Sequence, residues 1–340
     1  MINSNKFLLD SGFWGFFYKI LTPVEWLQTW VMKLVHDFLV LLGMNEIGVS
    51  WVISIICLVL LVQACIFPLF YKQMKSMRKL QALQPKMQRI QNKYKGKKDQ
   101  ASKEALQREM MKLYQDNDAN PAGSCLPLLI QSPVFMSMFY TLSAIPYIAS
   151  GVKKESLGAF DQATAQQFTQ TDVFGIVSVT DNFTSAAIAG KIVIGVFVFL
   201  MCFCLWFTTY FSMKRNMNPE AMVGQAAMMQ KSMLWLFPIM YIFSGIAMPF
   251  AVLVYWLTNN VCNLGRTIWQ SYAFPTPGSP AAKAKEERDH TRENARRAKA
   301  GLPSLEEEEL AKAKAVAEQR EAQGYQRVQP QRKNRSARKK

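Results

Sequence analysis

Histidine is almost missing from this 340-residue chain, which holds only His36 and His290. Two imidazoles so far apart in sequence offer no metal-ligand spacing, and no metal or cofactor is expected. The six cysteines, Cys57, Cys65, Cys125, Cys202, Cys204 and Cys262, all lie in or at the ends of apolar runs. That placement excludes a disulfide framework and leaves them as small packing residues. Nor does the N-terminus carry a basic region, a short apolar core and a small-residue cleavage site, so no cleaved signal peptide is expected. The most informative absence is that of charge, which almost vanishes from residues 49–71, 125–149, 192–211 and 233–261. Runs of about 20 to 25 apolar residues have the length of bilayer-spanning helices.

The fourth zone is longer, and Gly245, Met248 and Pro249 interrupt it. Two helices joined by a tight outer turn, 233–248 and 249–272, fit better than one kinked span, which would put the C-terminal tail on the other side from the remaining basic segments. Five spans result. With the N-terminus outside, the inside segments are 72–124, 212–232 and everything after about 265. They hold 34 Lys and Arg against 16 acids, whereas 1–48 and 150–191 hold 6 against 8. Cytoplasmic loops carry the excess of positive charge, so the net charge of +16 is a topology signal before it is anything else. The expected fold is an all-α polytopic membrane protein with five transmembrane helices, a multi-pass protein of the cell membrane with its C-terminus in the cytoplasm.

Residues 22–42 carry Trp26, Trp30, Leu34 and Phe38 at helical spacing, together with Glu25, Lys33, His36 and Asp37. Four ionisable groups at about 2.5 to 3.5 kcal/mol each near a bilayer centre argue against a span, and the segment reads as an outer interfacial helix. Segment 72–124 is basic, with apolar Leu80, Leu83, Met87, Ile90 and Tyr94, then Leu106, Met110 and Leu113, at steps of three and four. Two amphipathic helices form a cytoplasmic hairpin. Its turn falls at 96–102, Ser102 caps the second helix, and Pro85 kinks or restarts the first. Ten of the 19 methionines lie in 72–124 and 212–232. Methionine makes adaptable apolar surface, and Met74, Met77, Met111, Met228 and Met229 are candidates to contact a substrate, while Met87 and Met110 suit the hairpin seam as well. Residues 273–340 read as a basic flexible tail, with a helix around 306–323, able to bind anionic lipid or ribosomal RNA.

Polar groups within the spans carry the functional argument. Gln63 lies on the first span and Gln131 on the second. On the fifth, Tyr255, Asn259, Asn263, Arg266 and Gln270 step by four, four, three and four, with Asn260 beside them. Such a row occupies one helical face and needs water or polar protein opposite it. At 1.5 Å per residue, Gln63 lies roughly 21 Å from the outer boundary and Arg266 roughly 25 Å, in the cytoplasmic half of a core about 30 Å thick. Taken singly, Gln63 is explained by a helix-to-helix hydrogen bond worth on the order of 1 kcal/mol and Arg266 by snorkelling. The row favours a polar cavity open to the cytoplasm. The fourth span, only 16 residues long, is expected to thin the bilayer locally.

Three stretches, SWVISIICLVLLVQACIFPLFYKQMKSMRKLQALQPKMQRIQNKYK, NPAGSCLPLLIQSPVFMSMFYTL and LFPIMYIFSGIAMPFAVLVYWLTNN, in this order and with a basic hairpin between the first two, resemble the YidC-type membrane protein insertases. The resemblance covers roughly residues 20–272. It implies a protein that receives hydrophobic segments of nascent proteins in a hydrophilic groove, open to cytoplasm and lipid, and releases them into the bilayer, alone or beside the Sec translocon. No covalent chemistry is required, so an enzyme is not expected. One departure stands out. The family usually has arginine where this chain has Gln63, and more often glutamine where it has Arg266, which suggests that Arg266 supplies the groove's positive charge. A transporter or channel is the rival class, but inverted repeats and broken spans in both halves are not evident. An assembly chaperone without insertion activity remains open.

Overall fold

The computed structural model describes residues 7, 9, 12–97, 99–120, 126–153, 155–219 and 224–322, except the side chains of 126–128, 224–227, 229–230 and 322. Cys125, Met222, the Met229 side chain and the tail from 323 onward lie outside the described residues. The chain forms two compact units, residues 1–282 and 283–340. Among the described residues, the first unit holds α1 (Gly12–Leu41), α2 (Val49–Lys93), α3 (Gln100–Asp116), α4 (Leu126–Ala149), α5 (Gln162–Thr169), strands β1 (Asp172–Val173) and β2 (Val177–Ser178), α6 (Ile188–Asn216), α7 (Gly224–Ala247) and α8 (Phe250–Ala273). Helix α9 (Pro280–Lys299) leads into the second unit, whose described residues also hold α10 (Leu305–Ala322).

Helix α1 packs on α2 and α4 with its polar face. Glu25, Gln28, Thr29, Met32 and His36, spaced by three and four, are buried, while Trp26, Trp30, Leu34 and Phe38 are exposed. A water-soluble domain would do the reverse. Two of the four ionisable groups that exclude α1 from a span, Glu25 and His36, are the ones it hides. His36 stacks on Trp51 at 3.8 Å, with Nδ1 3.2 Å from Asp37 Oδ1 and Nε2 2.9 Å from the Glu46 carbonyl oxygen. The Asp37 carboxylate, which burial pushes up, is drawn below its ordinary value by Lys33 and His36.

Where the sequence suggests a boundary at 71–72, the helix does not break. Helix α2 runs for 45 residues through Pro68 and Pro85, about 68 Å of helix. A proline inside a helix costs about 3 kcal/mol, and packing on either side of Pro85 offsets it. Leu80 and Leu83 pack with Ala119, and Met77, Met87 and Tyr114 close the same cluster. Of the expected kink or restart at Pro85, the restart is therefore corrected, since α2 continues through it. So is the cap of α3: Asp99, not Ser102, is its N-cap, and the Asp99 carboxylate accepts from Ser102 N at 2.8 Å. An aspartate there satisfies an orphan donor and meets the positive end of the helix dipole.

Residues 150–191 hold more structure than a loop. Asp161 caps α5 by accepting from Thr164 N at 2.8 Å, and β1 pairs with β2 in a two-residue register. The backbone after β2 then serves α8. Phe250 N donates to Asp181 O at 2.7 Å and Ala251 N to Val179 O at 2.9 Å. Donors of the first helical turn, which no helix can satisfy internally, thus find partners outside it. Pro249 at the N-cap of α8, φ −60° and ψ 149°, makes the turn from α7.

Helix α6 packs on both α7 and α8, with Ile194, Met201, Phe250 and Leu253 buried in this part of the bundle. The opposite faces expose Phe199, Phe203, Trp235 and Phe243, as hydrocarbon-facing helices do. Among the described residues, α2 and α6 are long and apolar enough to cross a membrane. Helix α7 begins at Gly224, inside the expected cytoplasmic loop, so the expected 16-residue helix is in fact 24 residues. Its apolar part, Lys231–Ala247, is still short.

Within the expected flexible tail, residues 280–299 and 305–322 form α9 and α10, the second close to the expected helix at 306–323. Ion pairs at helical spacing, Lys285 with Asp289 at 2.5 Å and Glu293 with Arg297 at 3.8 Å, support α9. At the start of α10, Ser304 Oγ accepts from Glu307 N and Glu307 Oε2 accepts from Ser304 N, a reciprocal capping box.

Candidate functional site

Helices α2 and α8 meet along a polar seam. Gln63 Nε2 donates to Asn259 Oδ1, and seven residues further along each helix the Arg266 guanidinium lies over the Phe70 ring, 3.7 Å from its centroid. Equal steps of seven, two helical turns, mean that the helices run parallel in a fixed register. Arg266 also donates to Asn263 Oδ1, one turn back on its own helix. Among the described residues no carboxylate pairs with it. A half-buried cation held by an aromatic face and an amide keeps its charge available to an incoming anion.

The sequence-derived site residues divide under this geometry. Gln63, Asn259, Asn263 and Arg266 come together in the seam. Tyr255 is buried at its outer end, its ring 6.1 Å from Phe135 of α4. Asn260 is buried too, and its Nδ2 donates to Trp256 O at 2.8 Å, one turn back on its own helix. Gln131 stands one turn before Phe135 on α4, and Phe135 also packs on Trp256 at 5.5 Å. Residues four apart share a helix face, which places Gln131 on the side of α4 that meets α8. Its Nε2 is buried and has no hydrogen-bond partner among the described residues. Among those residues no group of three His, Cys, Asp or Glu could hold a metal.

The methionines fare less evenly. Met111 and Met228 are exposed, at 51% and 66%. Met74 is buried on α2, and Met77 packs into the hairpin cluster. Tyr114 Oη lies 3.6 Å from Met87 Sδ, so Met87 belongs to the seam of the hairpin.

Sequence reasoning missed the buried polar face of α1. Thr29 Oγ1 donates to Trp26 O at 2.7 Å and accepts from Ala159 N at 3.3 Å, while Gln28 Nε2 donates to Val134 O at 3.4 Å. The signal was present in the spacing of Glu25, Gln28 or Thr29, Met32 and His36. Burial pushes the Tyr18 phenol up to about 12, with the nearby Glu25 adding to the shift.

The family model of the 60Kd inner membrane proteins matches residues 43–276. The chain is 80% identical over 332 residues, 98% of its length and 99% of the relative's, to a membrane protein insertase YidC of Bifidobacterium longum. A second, from Tropheryma whipplei strain Twist, is 32% identical over 82% of this chain and 92% of that protein. Among solved structures, an active YidC insertase crystal structure is similar with a TM-score of 0.43 and 20% identity, over 78% of this chain and 47% of that one. On the sequence matches, the chain is an all-α membrane protein and belongs to the family of the YidC-type membrane protein insertases, the 60Kd inner membrane proteins.

Proposed function

We propose that this chain is a membrane protein insertase and chaperone that takes hydrophobic segments of nascent proteins from the cytoplasmic side and releases them into the bilayer. The observation that carries this reading is the polar seam of Gln63, Asn259, Asn263 and Arg266 inside a bundle whose outer faces are apolar. A substrate helix with about 15 strongly apolar residues gains roughly 5 to 9 kcal/mol on entering lipid, and one carboxylate in its flanking tail costs roughly 3 kcal/mol. The seam need only offset the second quantity. Amides of Gln63, Gln131 and Asn259 replace water around the tail, and Arg266 attracts its negative charge. Cation and amides line one seam of two parallel helices, so the tail passes along it while the apolar segment leaves sideways. The short apolar part of α7 shortens the path through hydrocarbon.

In this reading the crossings are the apolar part of α2, then α4, α6, α7 and α8. The N-terminus lies outside a bacterial cell membrane and the α2–α3 hairpin and C-terminus in the cytoplasm. Helix α1 lies at the outer interface with its tryptophans in the headgroups. Met111 and Met228 offer adaptable contact to substrates, and the Sec translocon and ribosome are further partners. Liposomes containing only this protein test the proposal: a single-span substrate with an acidic outer tail becomes protease-protected. Arg266→Gln lowers the yield for that substrate several-fold and leaves a neutral-tailed one unchanged. Equal yields for both substrates in the variant would refute the role of Arg266, and substrate binding without protection in the parent would leave a chaperone.

A further inference from the structure

The apolar runs of α2 and α6 end on the same five-residue pattern, Tyr-x-x-Met-Lys: Tyr71, Met74 and Lys75 on one, Tyr210, Met213 and Lys214 on the other. The pattern occurs nowhere else in the chain. Both copies stand at the same end of the bundle, because one short strap ties the two helices together there. Thr276 N donates to Asn216 Oδ1 at 2.9 Å, and Thr276 Oγ1 donates to Gln81 Oε1 at 2.6 Å. Gly278, at φ +77°, lets the strap turn against Asn218, whose Nδ2 would lie 2.8 Å from an added Cβ.

Each copy lines a cavity. The first, about 460 Å³, has walls from Met74, Ala82, Phe274 and Pro277 and a rim of Lys75, Arg78 and Lys79. The second, about 540 Å³, has walls from Met213, Met217, Leu234 and Trp235 and a rim of Lys214 and Lys231. No carboxylate lines either one. The five rim cations are exposed and form no ion pair among the described residues. Two of them are held instead by the tyrosine of the pattern: Lys75 Nζ is 4.6 Å from the Tyr71 ring centroid, and Lys214 Nζ is 3.3 Å from Tyr210 Oη. A lysine steadied by an aromatic ring rather than a carboxylate keeps its full charge for an outside anion.

An apolar slot under a basic rim selects its occupant. A peptide would bring backbone amides into walls that offer them few partners, at a cost of a few kcal/mol per unmatched group, whereas an acyl chain has no polar atoms. Tyrosine at the ends of apolar runs marks headgroup depth, and the cytoplasmic leaflet is the anionic one. We propose that the two cavities are binding sites for anionic phospholipid, with an acyl chain in each slot and the phosphate on Lys75, Arg78 and Lys79 or on Lys214 and Lys231. The proposal rests on the reading of α2 and α6 as crossings with these ends in the cytoplasmic leaflet.

Native mass spectrometry of the full chain, released from bilayers holding phosphatidylglycerol and phosphatidylcholine with the same acyl chains, tests it. The parent retains phosphatidylglycerol several-fold in excess. Lys75→Gln, Arg78→Gln and Lys79→Gln together remove part of that excess, Lys214→Gln with Lys231→Gln remove another part, and the five together bring the ratio to about one. All five positions are exposed, and an unchanged melting temperature shows that the variants remain folded. A parent ratio of one, or an excess untouched by the five substitutions, overturns the proposal. So does full displacement of the lipid by millimolar inorganic phosphate, which would assign the rims to a free anion. A chain that inserts substrate normally without any lipid preference refutes these sites alone, and one that keeps the preference but fails to insert refutes the insertase reading instead.

Discussion

Gly158 sits at φ +57°, and a Cβ there would run into Thr29 Oγ1 and come within 3.1 Å of the Trp26 backbone. Both objections fall on one residue. A side chain at this φ costs on the order of 1 kcal/mol, and overpacking adds about 1 to 3 kcal/mol. Gly158→Ala is therefore expected to lower stability by about 2 to 4 kcal/mol, read as a fall in melting temperature in detergent. Adding Thr29→Ala should recover the steric part and leave the conformational part. No sequence pattern announces Gly158, because its role depends on α1 arriving beside it from 130 residues away. Gln63 and Arg266 were legible for the opposite reason. A polar group in an apolar run is conspicuous wherever its partner lies, although the +7 register that pairs Gln63 with Asn259 and Phe70 with Arg266 needed the structure.

Among the elements, α10 depends on charge more than on burial. Glu308 meets Lys312 at 2.6 Å and also pairs with Arg297 of α9, and these two partners hold its carboxyl down to about 2. An unfolded glutamate titrates near 4.3. A group depressed on folding contributes stability in full above the unfolded value and loses it as pH falls through the folded one. Hydrogen exchange in residues 283–322 of the full chain should accordingly rise, relative to its intrinsic rate, as pH falls from about 5 to 2. Glu308→Gln should raise exchange at neutral pH and flatten that dependence. The hairpin of α2 and α3 shows the limit of such arguments. Lys93 and Tyr94 draw Glu109 below its ordinary value, yet these groups are solvent-exposed and the pair adds little beside the buried Leu80 and Leu83. Elements were readable where one pattern dominates, as in α6 and α8, whereas α2 joins an apolar half to an amphipathic one and reads as two. They were not where stability comes from pairs and caps, as in α9, or where a backbone such as 179–183 takes its structure from the helix it caps.

For the whole molecule, the proposed five crossings would set the two termini on opposite sides. A protease-cleavable tag before Met1 is expected to be cut from outside intact cells, and one after Lys340 only after lysis; cleavage of both from one side would break the five-crossing reading. The charge asymmetry that led to it is a property of the whole chain and was visible without structure, whereas the polar underside of α1 was hidden because its apolar face alone looked like the face to bury. The unbroken α2 has a mechanical meaning. Its two halves, Val49 to Tyr71 and Lys72 to Lys93, are about 35 Å and 33 Å long, so in the proposed topology α2 is nearly balanced about the cytoplasmic face. Compliance concentrates at Pro68 and Pro85, where the helical ladder lacks a bond, and Pro68 lies inside the polar seam, between Gln63 and Phe70.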